Sequence, residues 1–171
     1  MARLAFGGYA SARWSEDLRE HHHLTYAAVA SRRSLGKSGG IIMIEFDTAA
    51  ETVERALTIT MEHLTRYAID GPTMTEVARA FRYAIGSQTI TLAGQAGCAA
   101  AVGEALHAGL RWDHPWRHLT ALSEVTAPAC RHAAADLAWP ALSCVVVGPP
   151  GLDQSMALGA LLDTADGKAA P

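Results

Sequence analysis

The chain has 171 residues, of which 50% are hydrophobic and 18% are charged, and its formal net charge is −3. That length suffices for one ordinary globular domain with a sizeable core. The densest group of basic residues is Arg32, Arg33 and Lys37, so there is no basic face of the kind that a nucleic-acid partner needs. Nucleic-acid binding is therefore not expected.

Membrane insertion is not expected either. No apolar run approaches the roughly 20 residues that a membrane-spanning helix needs. The first residues, MARLAFGGYASARW, become polar too early for a signal peptide. We therefore expect a cytoplasmic protein without a membrane partner.

The cysteines do not predict a structural site. Cys98, Cys130 and Cys144 are odd in number and widely spaced, which argues against a disulfide framework or a cysteine-rich zinc site. Cys144 lies in the apolar stretch LSCVVVG and is expected to be a small buried residue of a strand.

The first predicted elements are a helical region and a hairpin. Residues 1–20 are expected to be helical on either side of Gly7 and Gly8. Residues 24–34 are rich in Thr, Tyr, Val and Ala, and residues 41–46 are IIMIEF, with the turn-forming GKSGG between them. This pattern predicts an antiparallel hairpin with a long loop.

Two capping boxes then predict two long helices. The first box, Thr48 to Glu51, precedes apolar residues at helical spacing that end at Gly71. The second box, Thr73 to Glu76, begins a helical stretch that ends at Gly109. Two shorter helices, HPWRHLTALSEV and TAPACRHAAADLAW, follow, with Thr126 as the N-cap of the second. Inside the long stretch between Thr73 and Gly109, four glycines predict breaks or close packing: Gly86, Gly94, Gly97 and Gly103.

A last apolar segment, Leu142 to Val147, predicts a third strand, and residues 151–171 are expected to form a frayed tail. The order of elements predicts one α+β domain over residues 1–150, with helices on one face of an antiparallel or mixed sheet. Three strands would leave the sheet with an exposed edge. The missing strands are expected from another chain or from a larger protein.

The three consecutive histidines His21, His22 and His23 raise the question of a metal site. Consecutive side chains point in different directions, so these three can supply at most two ligands to one ion. His114 and His118 could share one helix face, but HExxH and HxxEH motifs are absent. We interpret the histidines as solvated or capping residues at a helix end and predict no metal site in this chain.

The sequence also gives little support for a catalytic nucleophile, a phosphate-binding loop or a pair of catalytic carboxylates. The chain has no GxSxG motif, and GKSGG lacks the spacing of a phosphate-binding loop. Glu16, Asp17 and Glu20 are interpreted as an exposed helix face. The ordinary interpretation of Arg19 is a helix-surface residue, and that of Tyr26 is a half-buried strand residue. Their spacing allows the two side chains to converge if the chain turns at the histidines.

The segment FGGYASARWSEDLREHHHLTYA resembles a motif of the insulinase/pitrilysin family of zinc peptidases, GG-x-x-S-S-R-L followed by L-R-E-x-x-G-L-x-Y. The stretches SGGIIMIEFDT, DGPTMTEVARA, SEVTAPACRHAA and LSCVVVGP resemble later parts of that family in the same order. The resemblance covers about residues 6–150. The matching positions of the first motif are Gly7, Gly8, Ser11, Arg13, Leu18, Arg19, Glu20, Leu24 and Tyr26.

The resemblance implies that two domains have different roles. Family members pair two similar α+β domains around a closed chamber, and one domain holds zinc through HxxEH and a downstream glutamate. The facing domain supplies an arginine and a tyrosine, seven positions apart, to the substrate backbone. These two correspond to Arg19 and Tyr26, and nothing in this chain corresponds to the zinc motif. We therefore expect a non-catalytic, substrate-positioning domain that is inactive alone, with zinc on an HxxEH-bearing partner domain or chain.

The sequence also departs from the family pattern. The family's glycine before Leu24 is His23 here, so the turn needs a conformation that glycine adopts at lower energy. Ala12, Trp14 and Phe81 replace a serine, a leucine and a frequent lysine of the family.

Family domains begin with strands upstream of the first helix, so the resemblance implies a fragment, a truncated paralogue or one piece of a split protein. Such a domain would form a homo- or hetero-oligomer through its open sheet edge. Two alternatives remain: an inactive structural or assembly subunit of the same fold, and a peptide-binding maturation accessory protein.

Overall fold

The structure is a computed structural model that describes residues 1–135 and 142–149. Helices pack on one face of a two-stranded antiparallel sheet, which confirms the predicted α+β class. Short 3-10 turns lie at Gly36–Ser38 and Ala50–Thr52, and a π-helical turn lies at Asp17–His21. The other elements are α1 Ala2–Gly7, α2 Arg13–Glu16, β1 Ala28–Ser34, β2 Gly40–Phe46, α3 Val53–Asp70, α4 Met74–Ala93, α5 Gln95–His107, α6 His114–Ser123 and α7 Ala127–Ala135.

The predicted hairpin is confirmed as β1 and β2, with Ala30 opposite Ile44. Its loop closes through the amide of Leu35, which donates to the carbonyl of Gly39 at 2.9 Å. Ala30 is fully buried against the helices, whereas its neighbour Val29 is 40% exposed on the other face. This alternation places one face of the hairpin in the core and leaves the other toward solvent.

Aromatic side chains dominate the core. Trp14 is fully buried and stacks on Phe6 with 5.6 Å between ring centroids. The indole Nε1 of Trp14 donates to Thr60 Oγ1 at 3.1 Å, so its polar atom is satisfied inside the core. Gly7 is a glycine because a Cβ there would lie 2.6 Å from Trp14 Cε3. The departure from leucine at position 14 is therefore accommodated by α1 packing directly on the indole.

The two predicted capping boxes have different outcomes. The box at the start of α4 is confirmed: the amide of Glu76 donates to Thr73 Oγ1 at 3.2 Å, and the amide of Thr73 donates to Glu76 Oε2 at 2.7 Å. The box predicted from Thr48 is wrong, because Thr48 Oγ1 instead lies 2.8 Å from Thr52 Oγ1. The 3-10 turn Ala50–Thr52 comes between that threonine and α3, which begins at Val53.

The later helices follow the predicted boundaries. The long stretch after the second box divides into α4 and α5 at Gly94, one of the predicted breaks. Gly71 and Gly109, which end α3 and follow α5, have positive φ angles of 66° and 75° that glycine tolerates. At α7 the amide of Ala129 donates to Thr126 Oγ1 at 3.3 Å, which confirms the predicted N-cap.

The prediction of a third strand is wrong. Residues 142–148 have no regular secondary structure, and the sheet in the described part of the chain has two strands. The segment lines a groove of about 430 Å³ together with β2 and α3, but Val145 and Val147 are 86% and 91% exposed. Cys144 is also exposed, so its expected burial is wrong. A run with the composition of a strand forms one only when a neighbouring strand pairs with its backbone, and residues 142–148 have no such partner among the described residues.

The assignment of residues 1–150 to one domain stays a prediction. The predicted tail, residues 151–171, lies outside the described residues.

Candidate functional site

The segment between α2 and β1 contains the π-helical turn Asp17–His21. The amide of His22 donates to the carbonyl of Asp17 at 3.0 Å, five residues back, so the backbone is wider here than in an α-helix. Leu18 is fully buried and anchors the turn to the core. Arg19 follows on the same turn, at the surface. Single π-helical turns occur frequently at functional sites, so this turn is the first candidate.

Residues 23–27 lead the chain from the π turn into β1. His23 has a φ angle of 53°, which confirms that a glycine-like conformation is needed at this position. The Thr25 hydroxyl and the backbone of Ala27 are joined by hydrogen bonds of 2.8 and 3.1 Å. With Thr25 buried in this compact turn, the side chain of Tyr26 is 95% exposed.

Replacing His23 with glycine is expected to raise the free energy of unfolding by about 0.5–1 kcal/mol, because glycine adopts this backbone without strain. Part of the gain is lost to the greater freedom of glycine in the unfolded chain. Denaturant unfolding measures the difference. The control is Ala10→Gly, at an exposed turn residue without a positive φ, which should lose stability. A loss in both variants would show that His23 is not strained.

Several residues of the family motif have packing roles. A Cβ on Gly8 would lie 2.6 Å from Leu4 Cδ2, so only glycine fits there. Arg13 donates from Nε and Nη2 to the two carboxylate oxygens of Glu76, both at 2.6 Å, and lies 5.0 Å above the Tyr67 ring. These positions hold α1, α2 and α4 together, and their roles need no ligand.

Arg19 and Tyr26 differ from these positions because both lie at the surface. Arg19 Nε donates to Glu20 Oε1 at 2.8 Å, and the Arg19 side chain is 31% exposed. Tyr26 precedes β1 and is almost fully exposed, so the ordinary interpretation as a half-buried strand residue is wrong. Within the described residues no hydrogen bond or ring contact joins these two side chains. Their convergence on one peptide stays a prediction.

A second group of polar side chains converges on Asp17. Its Oδ1 lies 2.7 Å from His21 Nδ1, and its Oδ2 lies 2.7 Å from His63 Nε2 and 3.3 Å from His22 Nε2. Burial raises the pKa of Asp17, but the hydrogen bonds from His21 and His63 outweigh burial, and the net pKa lies below its usual value. The interpretation of Asp17 as part of an exposed face is therefore wrong.

This cluster could not be predicted from the sequence, for a physical reason. The i, i+4 spacing of Asp17 and His21 could have indicated that pair. His63 is 46 residues away, and its contact exists only because α3 packs against the π turn. No local pattern reports such a contact.

Other candidate groups do not form a site. Within residues 1–135 and 142–149, no three His, Cys, Asp or Glu side chains are placed to hold a metal ion. The thiols of Cys98, Cys130 and Cys144 are free. In the same part of the chain, every helix is too short or too polar to cross a bilayer.

The predicted shared helix face of His114 and His118 is confirmed, since their rings stack on α6 with 5.4 Å between centroids. Burial lowers the pKa of His118, and His114 lowers it further. The lowered pKa favours the neutral form of His118 beside His114.

The first half of the chain matches a known family. Residues 4–83 match the family model of the peptidase M16 inactive domain. No curated protein sequence matches this chain. A crystal structure of a peptidase M16 inactive domain from Pseudomonas fluorescens superposes with a TM-score of 0.68 at 24% identity, over 78% of this chain and 32% of that chain. A candidate zinc protease from Bordetella pertussis Tohama I superposes with a TM-score of 0.62 at 16% identity, over 78% of this chain and 72% of that chain.

Residues 4–83 therefore resemble the inactive domain of the peptidase M16 family. The resemblance to the insulinase/pitrilysin peptidases is thereby confirmed. The two superpositions show the fold alone. The chain spans about a third of the length of the Pseudomonas fluorescens protein that it matches.

Proposed function

We propose that this chain is the substrate-positioning domain of an M16-type zinc metallopeptidase, in which Arg19 and Tyr26 bind the backbone of an extended peptide. The proposal rests on one contrast: both side chains are at the surface, whereas neighbouring motif residues such as Arg13 and Leu18 are engaged in packing. A partner domain bearing HxxEH, in this protein or in another, would hold the zinc.

The chemistry of the two side chains suits a peptide backbone. A guanidinium presents several N–H donors in a fixed fork, and a phenol presents one O–H donor. Peptide carbonyls accept such bonds, and an extended peptide can also pair with an open strand edge. Only β1 and β2 pair in the described sheet, so the outer edge of β1, which begins two residues after Tyr26, has no strand partner. The Ala30 carbonyl of β1 accepts a hydrogen bond from Arg3 Nη1, so a peptide would pair with the remaining backbone groups.

Donors at this position can also contribute to the rate of cleavage. If they face the scissile carbonyl or its neighbour, they stabilise the negative charge that develops on oxygen in the tetrahedral transition state. Loss of one such donor from an enclosed site raises the barrier by about 3 kcal/mol, or roughly 100-fold in rate. The chain would thus supply positioning, while the metal domain supplies the attacking water.

The test combines the chain with an HxxEH-bearing M16 protein from the same organism and follows cleavage of fluorescein-labelled casein peptides. We expect Arg19→Ala to lower kcat/KM about 100-fold and Tyr26→Phe about 10- to 100-fold. Thermal unfolding of both variants should match the wild type, because neither side chain is buried.

Matched controls are Arg55→Ala, at an exposed site on α3, and Tyr83→Phe, which keeps the ring stacked on Tyr9. Both should cleave at the wild-type rate. Equal rates for Arg19→Ala, Tyr26→Phe and the wild type would remove the substrate-positioning role.

The structure also offers support for an inactive assembly subunit. Residues 84–103, in α4 and α5, carry no charged side chain, and Ile90 is 79% exposed. A long uncharged stretch with an exposed isoleucine suits a surface that a partner covers. Under this alternative, the casein peptides would be left uncut, while the chain would still form a stable complex with the HxxEH protein in size-exclusion chromatography.

A further inference from the structure

The Asp17 carboxylate joins two separate elements beside Arg19. Its Oδ2 lies 2.7 Å from Nε2 of His63 on α3. The same carboxylate contacts His21 and His22, which end the π turn that Asp17 begins. One side chain therefore closes the turn on itself and ties it to a helix.

The contacts of this carboxylate differ in their burial. The side chains of His63 and Asp17 are 16% and 26% exposed, whereas that of His21 is 69% exposed. Exposed ion pairs contribute little to the geometry of a surface, because water competes for both partners. A charge-assisted hydrogen bond that is partly shielded from water is stronger. The bond between Asp17 and His63 is therefore the main tie.

The α3 end of this tie is rigid. Met61 and Leu64, on either side of His63, are 8% and 3% exposed and belong to the hydrophobic core. The π turn, by contrast, is one irregular turn whose backbone hydrogen bonds depart from the α-helical pattern. The orientation of the turn thus depends on two contacts. Leu18 is buried in the core, and the Asp17 carboxylate binds His63 of α3.

We infer that Asp17 and His63 are positioning residues, which fix the π turn and thereby the direction in which Arg19 presents its guanidinium. The inference rests on the proposed function in so far as Arg19 binds peptide. Arg19 lies between Asp17 and the two histidines that the same carboxylate contacts. A shift of the π turn against α3 that carries the Arg19 backbone with it therefore requires the bond to His63 to break.

The first test uses the isolated full chain and needs no peptide. The heteronuclear NOE of the Arg19 Nε–H group reports how ordered the side chain is, and hydrogen exchange of the His22 and Leu24 amides reports the turn. His63→Leu removes the donor and is expected to lower the NOE and to speed exchange about tenfold. His63→Gln keeps an N–H donor at similar reach and should restore both values. His107→Leu, at an exposed histidine on α5, is the control and should match the wild type.

The second test measures coupling in the peptide-cleavage assay. If His63 acts through Arg19, His63→Leu should lower kcat/KM about tenfold in the wild-type background and less than about twofold in Arg19→Ala. His63→Gln should retain most of the rate. A tenfold loss in both backgrounds would mean that His63 acts independently of Arg19, and the inference would be rejected.

The two tests separate the inference from the proposed function. If the wild type fails to support cleavage, the proposed function is wrong, and the NOE and exchange measurements still decide whether His63 orders Arg19. If cleavage depends on Arg19 but His63→Leu leaves the NOE and exchange unchanged, the proposed function stands and the tie is refuted.

Discussion

Replacing Trp14 with alanine is expected to lower the free energy of unfolding by about 3–5 kcal/mol. The side chain is fully buried, stacks on Phe6 and meets Phe46 edge-on with 6.0 Å between centroids. Removing it opens a cavity under the hairpin and takes away the indole N–H that donates to Thr60 Oγ1. Since domains are stable by only about 5–15 kcal/mol, a large fraction of the variant would be unfolded in mild denaturant. Urea unfolding followed by circular dichroism measures the loss.

The control is Trp112→Ala, which removes the same side chain from a position that is 60% exposed. Its loss is expected to stay below about 1 kcal/mol, because little apolar surface leaves a packed environment. If the two variants were destabilised equally, Trp14 would not be at the centre of the core.

Replacing Glu76 with alanine is expected to lower the free energy of unfolding by about 2–3 kcal/mol. The change removes the two carboxylate oxygens that accept from Arg13 and the reciprocal half of the α4 capping box with Thr73. Arg13 would keep its bond of 3.1 Å to the carbonyl of Gly71 but would lose its charged partner. Denaturant unfolding of the single variants and of the double variant with Arg13→Ala measures the coupling between the two side chains.

Because of the Glu76 carboxylate, we also expect the free energy of unfolding to depend on pH. Burial raises the pKa of Glu76, but hydrogen bonds from Arg13 and Thr73 outweigh burial and hold the pKa below its usual value of about 4.3. Because the pKa is lowered in the folded state, the ionised Glu76 carboxylate contributes its full stability at pH values above the usual pKa. That contribution is lost as the pH falls from the usual pKa through the lowered one. Glu62→Ala, at an exposed site on α3, should keep the wild-type dependence on pH, whereas Glu76→Ala should flatten it.

Features set by neighbouring residues could be predicted from the sequence. The capping box at Thr73, the end of α3 at Gly71 and the hairpin around GKSGG all depend on side chains and backbone within a few residues. The strained conformation of His23 also followed, because the family resemblance indicated a position that favours glycine.

Features that depend on distant packing could not be predicted. Leu142 to Val147 has the composition of a strand, but a strand also needs a backbone partner, and the sequence does not report whether one is adjacent. The contact of Asp17 with His63 likewise requires α3 to pack on the π turn. The surface positions of Arg19 and Tyr26 are compatible with their predicted role, whereas the distance between their donors in a peptide complex depends on the peptide itself.

The hairpin described above has a consequence for biosynthesis. Its two strands pair only with each other in the described residues, so neither outer border has a strand partner, although the Ala30 carbonyl of β1 accepts a hydrogen bond from Arg3 Nη1. Newly made copies at high local concentration can join along these borders and precipitate. The yield of native material in a producing cell should therefore rise when a companion that covers them is made at the same time.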